Sequence, residues 1–263
     1  MPLVPLSPVT HARAKLRPLK SLAFASRSAA VPLYISDLAP LCHELPIVFL
    51  RDGVTMTLAA LTALQSDTNL MLDAQGRWTG SHVPGAWRCI PFRLARVESD
   101  PANLLLCIDD SYGLINEAEG TALFNADGTP SSLVDSVKAI LSQYETEAAT
   151  ARAICAELSR LDLLIPWAIE VAHPDGAKRT LSGLFRVDET KIRALPADDL
   201  VRLRDLGGLG LIYTHLLSLS RINALSRIAQ READRNRQRE ATRSGTLDLD
   251  RAFGIVEDDP FIF

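Results

Sequence analysis

The residues of this chain that could do chemistry are few and far apart. His173-Pro174-Asp175 has the His-x-Asp spacing of a non-haem iron facial triad, with His215 as the distal ligand. Such a triad needs strands between its ligands, whereas residues 188–206 read as helical, and His173-Pro174-Asp175-Gly176 is fully explained as a hairpin turn. We therefore expect a turn there and no metal. His215 lies one turn after Leu211 and one before Leu219, beside Tyr213, on the apolar side of a helical stretch. An imidazole so placed is either a buried acid or base or a hydrogen-bonded core residue. Asp109 and Asp110 end an apolar strand and would share a proton or a cation only if both faced one cavity. Strand neighbours point to opposite faces, so one is expected to cap a turn and the other to meet solvent. His215, Asp109 and Arg88 are the polar candidates for catalysis if the chain is an enzyme acting on a peptide or amino-acid substrate.

Trp78, Trp87, Arg88 and Phe92 suggest a ligand platform, because aromatic rings give contact area at little entropic cost and a guanidinium adds directional donors. The same residues would serve equally well as core. Arg227, Arg231, Arg235, Arg239 and Arg243 recur every four residues, which on a helix draws one slowly winding basic stripe. Like charges so spaced repel, and an anionic partner would relieve them. Asp248, Asp250, Glu257, Asp258 and Asp259, with Phe253, Phe261 and Phe263 as anchors, offer one within the chain; a solvated tail is the plain alternative. Gly207-Gly208-Leu209-Gly210 lacks the Lys and Ser or Thr of a phosphate loop and reads as a turn between helices. The sequence contains neither G-x-S-x-G nor H-E-x-x-H, so nothing in it favours a serine hydrolase or a zinc protease.

The elements that must position these residues follow from periodicity. From Pro46 to about Asn125 the chain reads as short strands, with a hairpin about Asp52-Gly53, a second turn near Gly76, and strands over residues 89–97 and 104–108. Leu133, Val137, Ile140, Leu141, Tyr144, Ala148, Ala151, Ile154, Cys155, Leu158 and Leu161 then recur every three or four positions, which predicts a long amphipathic helix stopped by Pro166. A hairpin turning at Asp175-Gly176 follows, then short helical pieces over 191–195 and 197–206, and one last helix carrying the stripe from Leu209 to Ile228. Mainly antiparallel strands in the N-terminal half, and long helices with a hairpin in the C-terminal half, make the chain α+β.

Composition narrows the function classes. The chain has 263 residues, 47% of them apolar and 23% charged, which suits a globular fold, and its net charge of −4 argues against a dedicated nucleic-acid binder. The four cysteines, Cys42, Cys89, Cys107 and Cys155, are far apart in apolar surroundings, which favours free thiols in a reducing compartment. The N-terminal residues place apolar before basic and interrupt them with prolines, the reverse of a secretory signal. The apolar stretch from Leu209 to Leu219 is interrupted by polar side chains and falls short of the roughly 20 residues that span a bilayer. The expectation is a cytoplasmic protein with no membrane span and no cofactor.

One stretch has a distinctive order: Asn69-Leu70-Met71-Leu72-Asp73, then Gly76-Arg77-Trp78, then Val83-Pro84-Gly85-Ala86-Trp87-Arg88-Cys89-Ile90-Pro91-Phe92, read as a hairpin, a proline-initiated loop and an aromatic and Arg pair. Here the chain resembles the SapC family. Matching pieces lie in register on both sides, among them Val31-Pro32-Leu33, Pro46-Ile47-Val48-Phe49, Cys107-Ile108-Asp109, Gly183-Leu184-Phe185-Arg186-Val187-Asp188-Glu189, and Gly207 through Ile212-Tyr213 to His215 and Ser218. The resemblance covers residues 20–225; His82 and Gly85 depart from the aromatic and Ala types of the family's proline loop. It implies a single domain over 1–225, followed by a charged extension over 226–263 whose composition favours partial disorder. For function it implies an accessory or partner-binding protein linked to bacterial surface-layer or outer-membrane uptake functions, with a protein partner and no catalytic residue to carry over. The contact surface would be the Asn69 to Phe92 face or the stripe of Arg227, Arg231, Arg235 and Arg239.

Overall fold

The computed structural model describes residues 3–97, 100–172 and 178–252. From the N-terminus, short strands β1 (Val4–Pro5), β2 (Lys15–Leu16) and β3 (Ala30–Pro32) and short helices α1 (Pro8–His11) and α2 (Leu38–Leu41) precede the hairpin of β4 (Ile47–Asp52) and β5 (Thr55–Leu61). One turn of helix, α3 (Gly85–Arg88), leads into the pair β6 (Phe92–Val97) and β7 (Asp100–Ile108), followed by β8 (Ile115–Asn116) and β9 (Thr121–Ala122). The long helix α4 (Ser132–Arg160) comes next, then the strands β10 (Leu164–Ala172) and β11 (Lys178–Val187). Four helices follow: α5 (Glu189–Arg193), α6 (Ala197–Asp205), α7 (Gly208–Ser218) and α8 (Ile222–Ala252). The architecture is α+β with antiparallel sheets, ordered β10-β11-β4-β5-β3, β1-β7-β6 and β8-β2-β9.

The larger sheet is buried on both faces. Ile47, Phe49, Leu58 and Ala60 point into one core with Ile154 and Leu158 of α4 and Leu211 and Ile212 of α7. Val48, Ala59, Leu61 and Leu184 point the other way, against Leu64, Val171 and Leu225. The alternation along β4 and β5 is that of a strand with a packed layer on each side. The smaller sheet has its own core, where Phe92, Leu106 and Ile108 meet Val134, Leu141 and Tyr144 of α4. At 29 residues, α4 is about 43 Å long, so its first half serves one core and its second half the other.

Three local expectations are corrected. Pro166 does not stop α4, since it lies inside β10; the stop is at Asp162, whose φ of 51° is left-handed. The Asp162 amide donates to Ser159 O at 3.1 Å and the Leu163 amide to Leu158 O at 2.9 Å, which is a Schellman closure. The final apolar stripe is not one helix: α7 ends at Ser218, and a tight turn over Leu219–Arg221 redirects the chain into α8. The hairpin expected near Gly76 reduces to a single bridge between Leu72 and Trp78, with Asp73 Oδ1 accepting from the Gln75 and Arg77 amides at 2.9 Å each.

Candidate functional site

The proline loop is organised by a carboxylate far from it in sequence. Asp37 closes the tight turn Ile35–Asp37 that runs into α2, and its side chain is fully buried. A buried carboxylate persists only when its lone pairs are met by donors. The Tyr34 amide donates to Oδ2 at 3.1 Å, the Gly85 amide to Oδ1 at 3.0 Å, His82 Nε2 to Oδ1 at 2.8 Å, and Arg88 Nη2 to Oδ1 at 3.2 Å. With Nε2 donating to Asp37, a neutral His82 keeps Nδ1 as an acceptor. Gly85 must lack a side chain, because a Cβ there would lie 2.6 Å from Tyr34 Cδ2 and 3.0 Å from Tyr144 Cζ. Those two tyrosines stack with centroids 4.2 Å apart, and the Arg88 guanidinium carbon sits 5.5 Å from the Tyr144 ring centre. Burial pushes the Tyr144 phenol up to about 12, so the ring beside Arg88 stays uncharged well into the alkaline range.

Arg88 and His82 open onto a cleft of about 580 Å³ whose walls include Trp78, Trp87, Lys20 and Val83. Trp78 and Trp87 meet edge to face at 5.7 Å. Three of the four residues expected to form an aromatic platform are thus together, while Phe92 belongs to the core of the smaller sheet and lines no part of this cleft. Segment 69–82 is fixed from outside as well: Asn69 Nδ2 donates to Ala25 O at 3.0 Å, and Glu44 Oε1 accepts from the Ser81 amide at 3.1 Å.

The three catalytic candidates have separate surroundings and share no hydrogen-bond partner. Asp109 Oδ1 accepts from the Ser111 amide at 3.1 Å and from Ser111 Oγ, and that hydroxyl holds its carboxyl below the usual range; Asp110 is exposed. Arg88 is bound to Asp37. His215 is fully buried and fills a gap between strands. β11 and β4 pair at Leu184 with Leu50 and Phe185 with Phe49, and two residues further along each strand Val187 and Ile47 are joined through the imidazole instead. The Val187 amide donates to Nε2 at 3.1 Å, and Nδ1–H donates to Ile47 O at 2.8 Å. Ser218, one turn on, accepts from the Ile47 amide at 2.9 Å and donates to His215 O at 2.6 Å. Burial lowers the His215 pKa to about 4, so the ring is the neutral tautomer that this bridge requires.

His173 and Asp175 lie outside the described residues. Among the described residues no group of three His, Cys, Asp or Glu side chains could hold a metal ion. All four cysteines are free and buried, and burial raises the thiols of Cys89, Cys107 and Cys155, the last to about 11, away from nucleophilic thiolate. Arg227, Arg231, Arg235 and Arg239 are exposed on α8, where Arg235 pairs with Glu232; residues 253–263 lie outside the described residues. No helix among the described residues is long and apolar enough to cross a membrane.

Asp37 is the site residue that sequence reasoning missed. Apart from the neighbouring Tyr34 amide, its partners lie 45 to 51 positions away, so no local pattern joins them. The one available signal was that His82 and Gly85 both depart from the expected loop types, and both turn out to bind Asp37. A family model described as SapC matches residues 6–225. No curated protein and no solved structure matches the chain.

Proposed function

The chain belongs to the SapC family, and on that premise we propose that it is a cytoplasmic accessory protein that binds a protein partner in bacterial surface-layer or outer-membrane uptake functions. The cleft beside Trp87 and Arg88 is its contact surface. One observation carries this assignment: Arg88 and His82 are held on a fully buried carboxylate, beside two packed tryptophans, at the wall of an open cleft. Side chains fixed in advance lose little entropy on binding, and Trp and Arg in such a setting are the residue types that dominate interface energies. The cytoplasmic setting is supported by the four free, buried thiols. The surface-layer and uptake setting rests on the resemblance alone. Affinity purification with the tagged full chain tests the contact surface. Partners recovered with the native chain should be lost with Trp78→Ala and Arg88→Glu, and equal recovery with both variants would remove the cleft from the assignment.

A second reading, an enzyme acting on a peptide or amino-acid substrate, has one observation in its favour. The Asp37 and His82 pair is the arrangement by which a buried carboxylate orients an imidazole for proton transfer. Turnover of a peptide mixture that is lost in His82→Phe would support it; identical product profiles for the two proteins would end it.

A further inference from the structure

A second cleft, of about 660 Å³, adjoins the first; Arg17, Phe24, Tyr112 and Glu119 are among its walls. Both clefts are lined by Leu19, Lys20 and Ser21, so a ligand leaving one crosses only this short ridge to enter the other. The ridge is anchored at both ends. The Arg17 amide donates to Leu114 O at 2.9 Å, the Leu22 amide to Gly76 O at 2.7 Å, and Ser21 Oγ to Gln75 O at 3.1 Å. Gly76 permits this approach, since a Cβ there would lie 2.3 Å from Ser21 Oγ.

A continuous row of rings runs beneath both clefts. Tyr112 meets Phe24 at 5.0 Å, Phe24 meets Trp87 at 6.5 Å, and Trp87 meets Trp78 at 5.7 Å, each edge to face. End to end the row is at most as long as about five residues of extended chain. Phe24, at its middle, is 39% exposed despite touching two other rings. The charged lining residues are Arg17, Lys20, Arg77 and Arg88 against Glu119. Glu119 offsets Arg17, Asp73 offsets Arg77 and Asp37 offsets Arg88, which leaves Lys20, on the ridge, without an ion pair among the described residues.

We propose that the two clefts form one saddle that takes an extended acidic peptide segment bearing aromatic side chains, its carboxylates over Lys20 and an aromatic ring against Phe24. This rests on the partner-binding assignment and specifies its ligand. Basic grooves with aromatic floors also bind single-stranded nucleic acid, but that mode needs ring faces open to stacked bases. Here the rings cover one another edge to face, and Trp87 is only 8% exposed.

The test is a displayed library of random heptapeptides selected on the full chain, with selection on Phe24→Ala and Lys20→Glu as controls. Enriched sequences should combine Asp or Glu with Phe, Tyr or Trp. A synthetic peptide chosen from them should bind each variant about tenfold more weakly, with the melting temperature of exposed Lys20→Glu unchanged. Basic or aromatic-free enriched sequences, no enrichment over the Phe24→Ala control, affinity unchanged by either variant, or tighter binding of a labelled oligothymidylate would each overturn the inference. Enriched peptides of another chemistry that are lost on Arg88→Glu would overturn the ligand class and leave the partner-binding assignment standing.

Discussion

A carboxylate with no solvent contact is tolerated only while its donors stay in place, and Asp37 has four of them drawn from Tyr34, His82, Gly85 and Arg88. Asp37→Asn turns an amide toward backbone donors and strips Arg88 of its counter-charge. The expected loss is about 3–5 kcal/mol, the range for breaking a buried pair from one side. Urea denaturation measures it, and a loss under about 1 kcal/mol would show that the carboxylate is not what holds the loop. Arg88, 39% exposed at its side chain, is the less costly partner to remove. His215 behaves differently because it is buried neutral. Its folded pKa of about 4 lies below the unfolded value of roughly 6.5, so its contribution is complete above the unfolded pKa. As pH falls from there toward 4 the unfolded state takes up a proton that the folded state refuses, and stability declines by about 3 kcal/mol before levelling. His215→Gln, whose amide has a donor and an acceptor but does not titrate, should flatten the urea midpoint between pH 6.5 and 5 relative to the native chain. An unchanged slope would assign that acid sensitivity to carboxylates.

At the scale of elements, α4 shows what governs its end. Asp162 stands in a left-handed conformation where Gly is favoured, while its exposed ion pair with Lys191 contributes little. Asp162→Gly should therefore stabilise the chain by up to about 1 kcal/mol, read as a raised melting temperature. A fall would mean that the pair with Lys191 outweighs backbone strain. The sequence made α4 legible because its apolar residues recur at helical spacing over 29 residues, and made the β4–β5 turn legible because Asp52-Gly53 sits between two apolar runs. Pro166 misled because proline interrupts the interior of a helix, yet here it occupies a strand paired on only one side, where its missing amide goes unnoticed. The turn over Leu219–Arg221 was hidden because apolar spacing continues across it. Of the expected platform, Trp78, Trp87 and Arg88 came together, and Phe92 did not. It starts β6 immediately after the turn that follows α3, and so faces the neighbouring core. Asp37 was illegible for a simpler reason: long-range polar contacts leave no period in a sequence.

For the whole molecule, α4 is the beam between two cores, and the family match ends where the last buried side chain among the described residues lies, at Leu225. Beyond it the side chains over residues 226–240 of α8 are exposed or half-buried. Truncation after Asp234 should thus leave the melting temperature within about 2 °C of the full chain, a shift of about 1 kcal/mol or less at this size. A larger fall would mean that the removed residues pack on the body. The larger sheet has a subtler division. Its β10–β11 hairpin is joined to β4 by two registered residue pairs and then by the His215 ring, which stands in for the ladder bond that Val187 and Ile47 would otherwise make. A protonated imidazole has no lone pair for the Val187 amide, so charging the ring and parting that edge of the sheet are linked events. The hairpin is in that sense a leaf whose latch is read by protons, and among the described residues neither a disulfide nor a cluster of metal-ligating side chains is present to hold the leaf shut.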